Sequence, residues 1–340
     1  MQGTREPYRN ILVIKPGAVG DLLQMTPVIR ALRRYSPEAR ITMLVGSALT
    51  ASLFANDPRV SATFVFDQHG RHRSASSKLG LWRMLHSKRF DLVLNFQRSN
   101  LRTWFLTSAA LPCRVLVYHK ARNRPVHVVV NYLETLSPLG IELSDTVLEL
   151  FLDDASRNFA RSLFTARGLD TAPVVALNPG ATHAVNRWPA ERFAELADLV
   201  TETSGARVII VGGPDDVFLA DDIVKRSVSK PLSLAGTTSL LQLGAVLEQC
   251  RALVSGDTGP LHLATAVGTK VIALFGAADP ARTGPVGDGH QVIQARSVGC
   301  LPCRSRTCSH RNYLECMERI TVEEVFQVVA GRVRTMKGQP

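Results

Sequence analysis

Three loops of this 340-residue sequence combine small residues with side chains capable of acid–base or phosphate chemistry. The first, PGAVGDLLQMTP (Pro16–Pro27), follows a run of β-branched residues and carries one carboxylate, Asp21. Where a strand gives way to a helix, a carboxylate either caps the helix or accepts a proton from a substrate hydroxyl. The loop lacks the third glycine of a dinucleotide fingerprint and the Lys-Ser/Thr pair of a P-loop, so neither of those sites is predicted.

The second loop, NPGATHAVNRWP (Asn178–Pro189), also follows a strand-like run. Its small residues allow a ligand to approach the backbone, while Thr182, His183 and Arg187 supply a hydroxyl, an imidazole and a guanidinium. The planar fork of an arginine matches phosphate oxygens and stays charged at any working pH, which suits a diphosphate. The alternative is that Arg187 pairs on the surface and Trp188 only packs.

The third loop, SGDTGPLHLATAVG (Ser255–Gly268), leads from a strand into a helix that begins near Pro260. Free N–H groups at a helix start, together with the helix dipole, attract phosphate oxygens, and Thr258 and Gly259 are the expected contacts. Asp257 could instead cap the helix, and His262 could equally be a packed core residue.

These loops are positioned by short strands that alternate with helical segments, the pattern of parallel sheets covered by helices. The pattern occurs twice, so each half is predicted to be an open doubly wound sheet whose ligands bind beyond the carboxyl ends of the strands. We place the domains at 1–170 and 171–340, with the join near Asp170–Pro173. The predicted strands are Ile11–Ile14, Ile41–Val45, Ala62–Phe66, Asp91–Asn95, Arg114–Val117, Val174–Asn178, Arg207–Val211, Leu232–Leu234, Ala252–Ser255 and Val271–Phe275. The predicted helices include Leu22–Tyr35, Ala155–Arg167, Ala190–Thr203, Leu240–Cys250 and Pro260–Val267.

The charge of the chain is unevenly distributed. The formal net charge is +11, and residues 1–150 hold 20 basic against 10 acidic side chains, whereas residues 151–340 hold 20 against 19. A basic first half can meet nucleic acid, an anionic membrane surface or a phosphorylated substrate, or it can simply favour solubility. Hydrophobic residues make up 45% of the chain and charged residues 20%, as in a globular protein. The first residues lack a signal peptide's apolar core and no run is long enough to span a membrane, so a cytoplasmic location is expected.

Four of the six cysteines fall in one loop with the spacing C-x2-C-x4-C-x7-C: Cys300, Cys303, Cys308 and Cys316. Disulfides are rare in a reducing cytosol, and four thiolates in a short loop suit a structural Zn or Fe ion. The alternative is a set of reduced thiols. Cys113 and Cys250 are more simply interpreted as small buried hydrophobes.

Taken together and in order, the three loops resemble the signatures of glycosyltransferase family 9, the ADP-heptose:lipopolysaccharide heptosyltransferases. The resemblance covers nearly the whole chain. It includes ILVIKPGAVGDLLQMTPVIRALRRYSPEARITMLV near the start, VALNPGATHAVNRWPAERFAELA and the VIIVGGPDD turn in the middle, and SGDTGPLHLATAVGTKVIALFGAADPARTGPVG towards the end. The stretch DTGPLHLATAVGT is the most distinctive.

The resemblance implies a GT-B fold, in which two Rossmann-like domains face a central cleft, the first for the acceptor and the second for ADP-heptose. It further implies that Asp21 is the general base and that Arg187, a lysine in many relatives, meets the diphosphate. Asp216, or Asp215 beside it, corresponds to an acidic position that holds the ribose. The implied donor-binding residues are Thr182, His183, Asp216, Asp257, Thr258, Gly259 and His262.

The basic excess of the first half is assigned to a phosphorylated lipid A-core acceptor at the cytoplasmic face of the inner membrane. The expected acceptor-binding residues are Gly20, Arg71, Arg73, Arg98, Arg122 and Arg124. The segment Ser74–Phe90 mixes basic and apolar side chains and could lie on an anionic membrane as an amphipathic helix. Ordinary packing of its apolar face on the sheet is the alternative.

The predicted function is therefore inverting transfer of heptose from ADP-L-glycero-D-manno-heptose to a sugar hydroxyl of the lipopolysaccharide inner core, with no cofactor and no metal ion for catalysis. One alternative is another nucleotide sugar or a protein acceptor. A second is a basic nucleic-acid-binding module, which the lack of a recognised motif and of interleaved aromatic residues opposes, so no nucleic-acid partner is expected. An inactive scaffold is a third, and the presence of Asp21, Arg187 and Asp257 argues against it.

Overall fold

The computed structural model describes residues 8–68, 70–97, 101–121, 124–142, 145–295 and 297–334. The chain divides into two units, Met1–Phe151 and Leu152–Pro340. No helix among the described residues combines the length and apolar character needed to span a bilayer.

The first unit is built on a five-stranded parallel sheet in the order β3-β2-β1-β4-β5. Strand order reverses between β1 and β4, which makes that pair the switch point of a doubly wound sheet. The strands are β1 Asn10–Ile14, β2 Arg40–Val45, β3 Val60–Val65, β4 Leu92–Asn95 and β5 Arg114–Val117. The helices are α1 Val19–Leu23, α2 Thr26–Tyr35, α3 Ala48–Ala51, α4 Ala75–Ser87, α5 Leu101–Ser108 and α6 Val128–Leu133.

The predicted helix Leu22–Tyr35 is wrong as a single element, because the chain forms α1 and then α2 with a break at Gln24 and Met25. Pro27 explains the break. Proline has no N–H to donate and its ring clashes with the carbonyl four residues earlier, so it is tolerated only in the first turn of a helix. Pro27 lies in the first turn of α2, so the helix has to begin just before it. The hydroxyl of Thr26 donates to the Leu23 carbonyl at 2.8 Å and bridges the two helices.

Helix α4 packs on the sheet of its own unit and does not present an apolar face to solvent. Leu81, Leu85 and Phe90 are buried in one cluster, and Trp82 donates to the Ser108 hydroxyl at 3.0 Å. Of the large apolar side chains in Ser74–Phe90, only Leu79 is exposed, at 42%. The amphipathic-membrane interpretation of Ser74–Phe90 therefore loses the apolar face that insertion would require.

The second unit contains a six-stranded parallel sheet in the order β11-β10-β9-β6-β7-β8, which is the Rossmann order with its switch point between β6 and β9. The strands are β6 Val174–Asn178, β7 Arg207–Ile210, β8 Leu232–Ser233, β9 Ala252–Gly256, β10 Lys270–Phe275 and β11 Gln291–Gln294. The helices are α7 Asp154–Ala166, α8 Ala190–Ser204, α9 Val217–Arg226, α10 Leu240–Glu248, α11 Gly259–Ala266, α12 Pro280–Thr283, α13 Glu315–Glu318 and α14 Val322–Arg334.

Two features of the second unit differ from the sequence-based expectation. The edge strand β11, with sequence QVIQ, was missed because it is short and its first two residues are exposed, which leaves little hydrophobic pattern. The division after Phe151 also precedes the predicted join near residue 170. Helix α7 belongs to the second unit because it packs on α10, where Arg157 makes a two-pronged ion pair with Glu248 at 3.0 and 3.1 Å.

Candidate active site

The first cluster lies at the switch point of the first sheet, in the loop after β1. Asp21 is the third residue of α1 and its side chain remains 42% exposed. The residue that caps this helix is Ala18, whose N–H donates to Asp21 Oδ2 at 3.3 Å, so the N-cap interpretation of Asp21 is wrong. The Asp21 side chain packs against Gly17, where any larger residue would clash, because a Cβ at position 17 would lie 2.9 Å from the Asp21 Cβ. Gly20 is buried within α1.

Two residues that the sequence did not suggest hold the other carboxylate oxygen. The Tyr132 hydroxyl donates to Asp21 Oδ1 at 3.2 Å, and the Lys15 ammonium lies 3.5 Å from the same atom. Lys15 also lies 5.0 Å from the centre of the Tyr132 ring, a cation–π contact. Burial and then the charge of Asp21 raise the pKa of Tyr132, so the phenol stays protonated and acts as a donor.

Lys15 and Tyr132 differ in whether the sequence could have identified them as partners of Asp21. Lys15 directly follows the predicted strand Ile11–Ile14 and adjoins the loop, so its position was a signal. Tyr132 comes from α6 and is separated from Asp21 by 111 residues, and nothing in its local pattern marks it. Its ring packs edge-on against Phe96 and Tyr118, which fixes the direction of the hydroxyl.

The predicted acceptor-binding arginines fall into three groups. Arg71 and Arg73 lie exposed in the loop after β3. Arg124 forms an ion pair with Glu134, so its charge is already partly neutralised. Arg98 and Arg122 lie outside the described residues.

In the second unit, the loops that follow β6 and β9 meet at the switch point of the sheet. The Asn178 amide donates to the Ser255 hydroxyl at 3.0 Å and to the Gly180 carbonyl at 3.1 Å. The Asn186 carbonyl packs against Gly256 so closely that a Cβ at Gly256 would lie 2.3 Å from it. Two of the predicted donor-binding loops are thus in contact.

Arg187 ends the loop after β6, with its guanidinium turned back onto that loop. Its Nε and Nη2 donate to the Ala181 carbonyl at 3.0 and 2.8 Å, while the side chain stays exposed. Thr182 is exposed and His183 is half-buried beside this bond. Trp188 is buried and donates to the Ile320 carbonyl at 3.0 Å, so it packs as the alternative interpretation expected.

Asp216 follows β7, the neighbour of β6, and its carboxylate lies against the loop after β6. A Cβ on Gly180 would come within 2.2 Å of Asp216 Oδ1, and Asp216 Oδ2 accepts the Gly213 N–H at 2.9 Å. Asp215 is exposed. Of the two carboxylates, Asp216 is therefore the one placed next to the other predicted donor residues.

The loop after β9 leads into α11, whose N-cap is Thr258 and whose first residue is Gly259. Asp257 therefore does not occupy the cap position. Its Oδ2 accepts the Thr283 hydroxyl at 3.0 Å, and its Oδ1 lies 3.9 Å from Nε2 of the buried His262. The first N–H groups of a helix lack intrahelical partners and form an anion site. Thr283 is the last residue of α12, and it was missed because nothing in its residue type marks it as a partner of Asp257.

The four loop cysteines line one cavity of about 200 Å³ without forming a ligand set. Cys300 and Cys303 are exposed, Cys308 is half-buried and accepts the Leu314 N–H, and Cys316 is buried. Burial and then the three neighbouring cysteines raise the pKa of the Cys316 thiol. Within the described part of the chain, no group of three or more His, Cys, Asp or Glu side chains could hold a metal ion.

The fold and these loops define an α/β protein of two parallel-sheet units, the GT-B class of glycosyltransferase, and comparison with known proteins identifies the family. Residues 79–314 match glycosyltransferase family 9 (heptosyltransferase). The chain is 28% identical over 320 residues to lipopolysaccharide heptosyltransferase 3 of Escherichia coli strain K12, an alignment that covers 87% of this chain and 90% of that protein.

Two solved structures have the same fold. The crystal structure of the glycosyl transferase family 9 from Veillonella parvula DSM 2008 has a TM-score of 0.85 at 25% identity and covers 96% of this chain and 97% of that one. The E. coli heptosyltransferase WaaC with ADP has a TM-score of 0.72 at 19% identity and covers 95% and 99%. This chain belongs to glycosyltransferase family 9. It is a transferase, and at the level of its family the reaction is heptose transfer in biosynthesis of the lipopolysaccharide core.

Proposed function

We propose that this protein transfers heptose from ADP-L-glycero-D-manno-heptose to a sugar hydroxyl of the lipopolysaccharide inner core, with inversion at the anomeric carbon and without a catalytic metal ion. The observation that carries the proposal is the half-exposed carboxylate of Asp21, held on one oxygen by Tyr132 and Lys15 at the switch point of its sheet. The similarity to a lipopolysaccharide heptosyltransferase supplies the substrate class.

In the proposed reaction, Asp21 takes the proton of the acceptor hydroxyl as that oxygen attacks the anomeric carbon of the donor. The bond from that carbon to the diphosphate oxygen breaks in the same displacement, and ADP leaves with the bonding electron pair. A positioned base contributes about 10²–10⁴-fold to such a step. Tyr132 and Lys15 orient the carboxylate through their contacts with Oδ1.

The leaving diphosphate gains negative charge as the bond breaks, so groups that stabilise this charge accelerate the reaction. We assign this role to the Arg187 guanidinium and to the N–H groups at the start of α11, with Thr258 and Gly259 as contacts. The second unit is thereby the donor domain. Asp216 is assigned to the ribose hydroxyls, and His262 and Thr283 fix the carboxylate of Asp257. Thr182 and His183 complete the donor loop beside Arg187.

The first unit is assigned to the acceptor, a phosphorylated lipid A-core molecule presented at the cytoplasmic face of the inner membrane. Its basic excess supports this assignment, and Arg71 and Arg73 are the exposed described members of the arginine set. A cytoplasmic protein whose basic residues bind an anionic membrane surface electrostatically needs no helix inserted in the bilayer.

The cysteine loop is assigned a structural metal ion, Zn or Fe, with no part in the transfer step. All four thiols line one cavity, which supports a shared ligand, and their present separation requires the loop to close when a metal binds. Thiolates are the ligands that both metals accept.

The direct test incubates the purified protein with ADP-heptose and a panel of truncated lipopolysaccharide cores and identifies the product by mass spectrometry. We expect one added heptose on one core only, no product with a UDP- or GDP-sugar, and a strongly reduced rate for Asp21→Asn. Transfer from a different nucleotide sugar, or to a protein acceptor but to no core, would overturn the assignment.

A further inference from the structure

A groove opens beside the free edge of the first sheet, between β3 and α4. Its volume is about 690 Å³, within the range of about 300–1,000 Å³ typical of ligand sites. We call it the β3–α4 groove. Its lining includes Phe64, Val65, Asp67, Arg71, Leu81 and Met84.

The walls of the groove are mainly apolar. Phe64 and Val65 come from the edge strand, while Leu81 and Met84 come from the facing side of α4. Phe64, Val65 and Met84 are only half-buried, so they retain apolar surface that a ligand can cover. A flexible thioether such as that of Met84 adapts to ligands of different shape.

Gly80 keeps one wall of the groove open. It lies within α4 and is exposed, and a Cβ built on it would meet no atom within 4 Å. Glycine inside a helix is less favourable than alanine, because it loses more conformational freedom on folding. A larger side chain at this position would therefore meet open space and could project over the groove.

The loop after β3 gives the groove a polar, basic mouth. Two exposed arginines, Arg71 and Arg73, lie in this loop. The one carboxylate among the described lining residues, Asp67, accepts the backbone N–H groups of Gly70 and Arg71 at 2.8 and 3.3 Å. His72 is only 8% exposed, and its Nδ1 has no hydrogen-bond partner among the residues that the structure describes. Burial, and then Arg71, lower the pKa of His72, so the imidazole is neutral near pH 7 and the local positive charge is that of arginine.

We propose that the β3–α4 groove binds one acyl chain of the lipid acceptor and that the Arg71 side of its mouth binds an adjoining phosphate. This inference rests on the proposed function and specifies which part of the acceptor the first unit recognises. Arg71 and Arg73 outnumber the one carboxylate of the loop, Asp67, so charge complementarity at the mouth favours an anionic ligand. The apolar walls favour a hydrocarbon chain over a saccharide, whose hydroxyls would lose water without finding partners on Phe64, Leu81 and Met84.

The first test measures binding of octyl, decyl and dodecyl phosphate to the full-length protein by calorimetry, below their micellar concentrations. Burial of each CH₂ contributes about 0.8 kcal/mol, so the affinity should rise about fourfold per CH₂ until the groove is full. Inorganic phosphate should bind far more weakly, and uncharged dodecyl maltoside more weakly than dodecyl phosphate. An affinity that does not depend on chain length would overturn the proposal.

The second test fills the groove with Gly80→Leu, and Gly331→Leu serves as the matched control. Gly331 also lies exposed in a helix, α14, and a Cβ there would likewise meet nothing within 4 Å. Leucine favours a helix over glycine at both positions, so both variants should fold. Gly80→Leu should weaken dodecyl phosphate binding by about tenfold or more, the loss expected if two CH₂ groups are displaced. Equal affinity in the two variants would show that the chain lies elsewhere.

A kinetic comparison separates this inference from the proposed function. Gly80→Leu should raise KM for an acylated core acceptor and leave KM for the same acceptor after deacylation unchanged. A rise for both acceptors would mean that the groove holds the saccharide, which contradicts the acyl assignment. If the unaltered protein turns over neither acceptor, the proposed function fails, while the alkyl phosphate series still decides whether the groove binds an anionic amphiphile.

Discussion

The phenol of Tyr132 donates a 3.2 Å hydrogen bond to the carboxylate of Asp21, across 111 residues of sequence. Tyr132 is only 2% exposed, and its ring is fixed by Phe96 and Tyr118. The Asp21 side chain is 42% exposed. The pair therefore joins a rigid buried donor to an accessible acceptor, an arrangement that sets the direction of the carboxylate while leaving it open to a substrate.

We predict that Tyr132→Phe lowers kcat by about 10- to 100-fold, the cost of a small misplacement of a reacting group, with little change in acceptor KM. The ring and its packing survive this substitution. Tyr35→Phe removes a hydroxyl elsewhere in the same unit and should leave both constants unchanged. Steady-state kinetics of the two variants decide the matter, and equal kcat values would reduce the bond to a structural role.

We predict that Asp21→Asn folds normally, binds ADP with little change and loses about 10²–10⁴-fold in turnover, since the amide keeps the shape but not the basicity of the carboxylate. Turnover measured with saturating donor, beside calorimetry with ADP, tests both halves of the prediction. Near-normal turnover would assign Asp21 to stabilising the start of α1, through its bond to Ala18.

Strand positions and loop chemistry were visible in the sequence because they are local. Ten predicted strands correspond to β1 through β10, since buried parallel strands are short continuous runs of β-branched and apolar residues. The resemblance to a known family supplied the roles of Asp21 and Arg187. The break between α1 and α2 was also local, and Pro27 was the signal that should have located it.

The remaining features depend on tertiary contacts. Tyr132 and Thr283 reach Asp21 and Asp257 from distant parts of the chain, and their types carry no motif. The β3–α4 groove is lined by residues of β3, of the loop after it and of α4, so it forms only when these segments pack together. The ion pair of Arg124 with Glu134, ten residues away, was likewise not visible in the charge count.

We predict that Arg187→Ala and Thr258→Ala each weaken ADP-heptose binding and that Arg187→Ala also lowers kcat, because the leaving group gains charge in the transition state. Arg187→Lys keeps the charge without the planar fork and should lose less than the alanine variant. Calorimetry with ADP and kinetics with ADP-heptose measure the two effects. Unchanged affinity in both alanine variants would move the donor site away from these loops.

We predict that the cysteine loop takes up one Zn or Fe ion per chain, and that Cys303→Ser or a chelator lowers stability more than it lowers the turnover of the protein that remains folded. Cys250→Ser is a poor control because that thiol is buried. Cys113→Ser, at a half-buried thiol outside the loop, is the better one. Elemental analysis of untagged protein counts the metal, and four freely reactive thiols with no metal would contradict the prediction.

The last prediction concerns the charge of the first unit. Arg71 and Arg73 are exposed and close in sequence, whereas Arg124 is paired with Glu134, so reversal at 71 and 73 changes the local field without breaking that ion pair. We expect the double variant Arg71→Glu and Arg73→Glu to raise the acceptor KM, to leave ADP binding unchanged and to flatten the dependence of acceptor affinity on salt. The reason is that screening at about 0.15 M ionic strength, with a Debye length of about 8 Å, acts on the attraction that these charges supply.

The matched control is the double variant Arg161→Glu and Arg167→Glu, which makes the same change in net charge at exposed positions of the second unit. If the acceptor meets the basic face of the first unit, only the first pair should change acceptor KM and its salt dependence. If net charge alone governs encounter with an anionic acceptor, both pairs should raise KM to the same degree. Acceptor kinetics that respond to neither pair and remain constant from low to high salt would leave solubility as the function of the basic half, and the assignment of the first unit to a phosphorylated acceptor would lose its electrostatic basis.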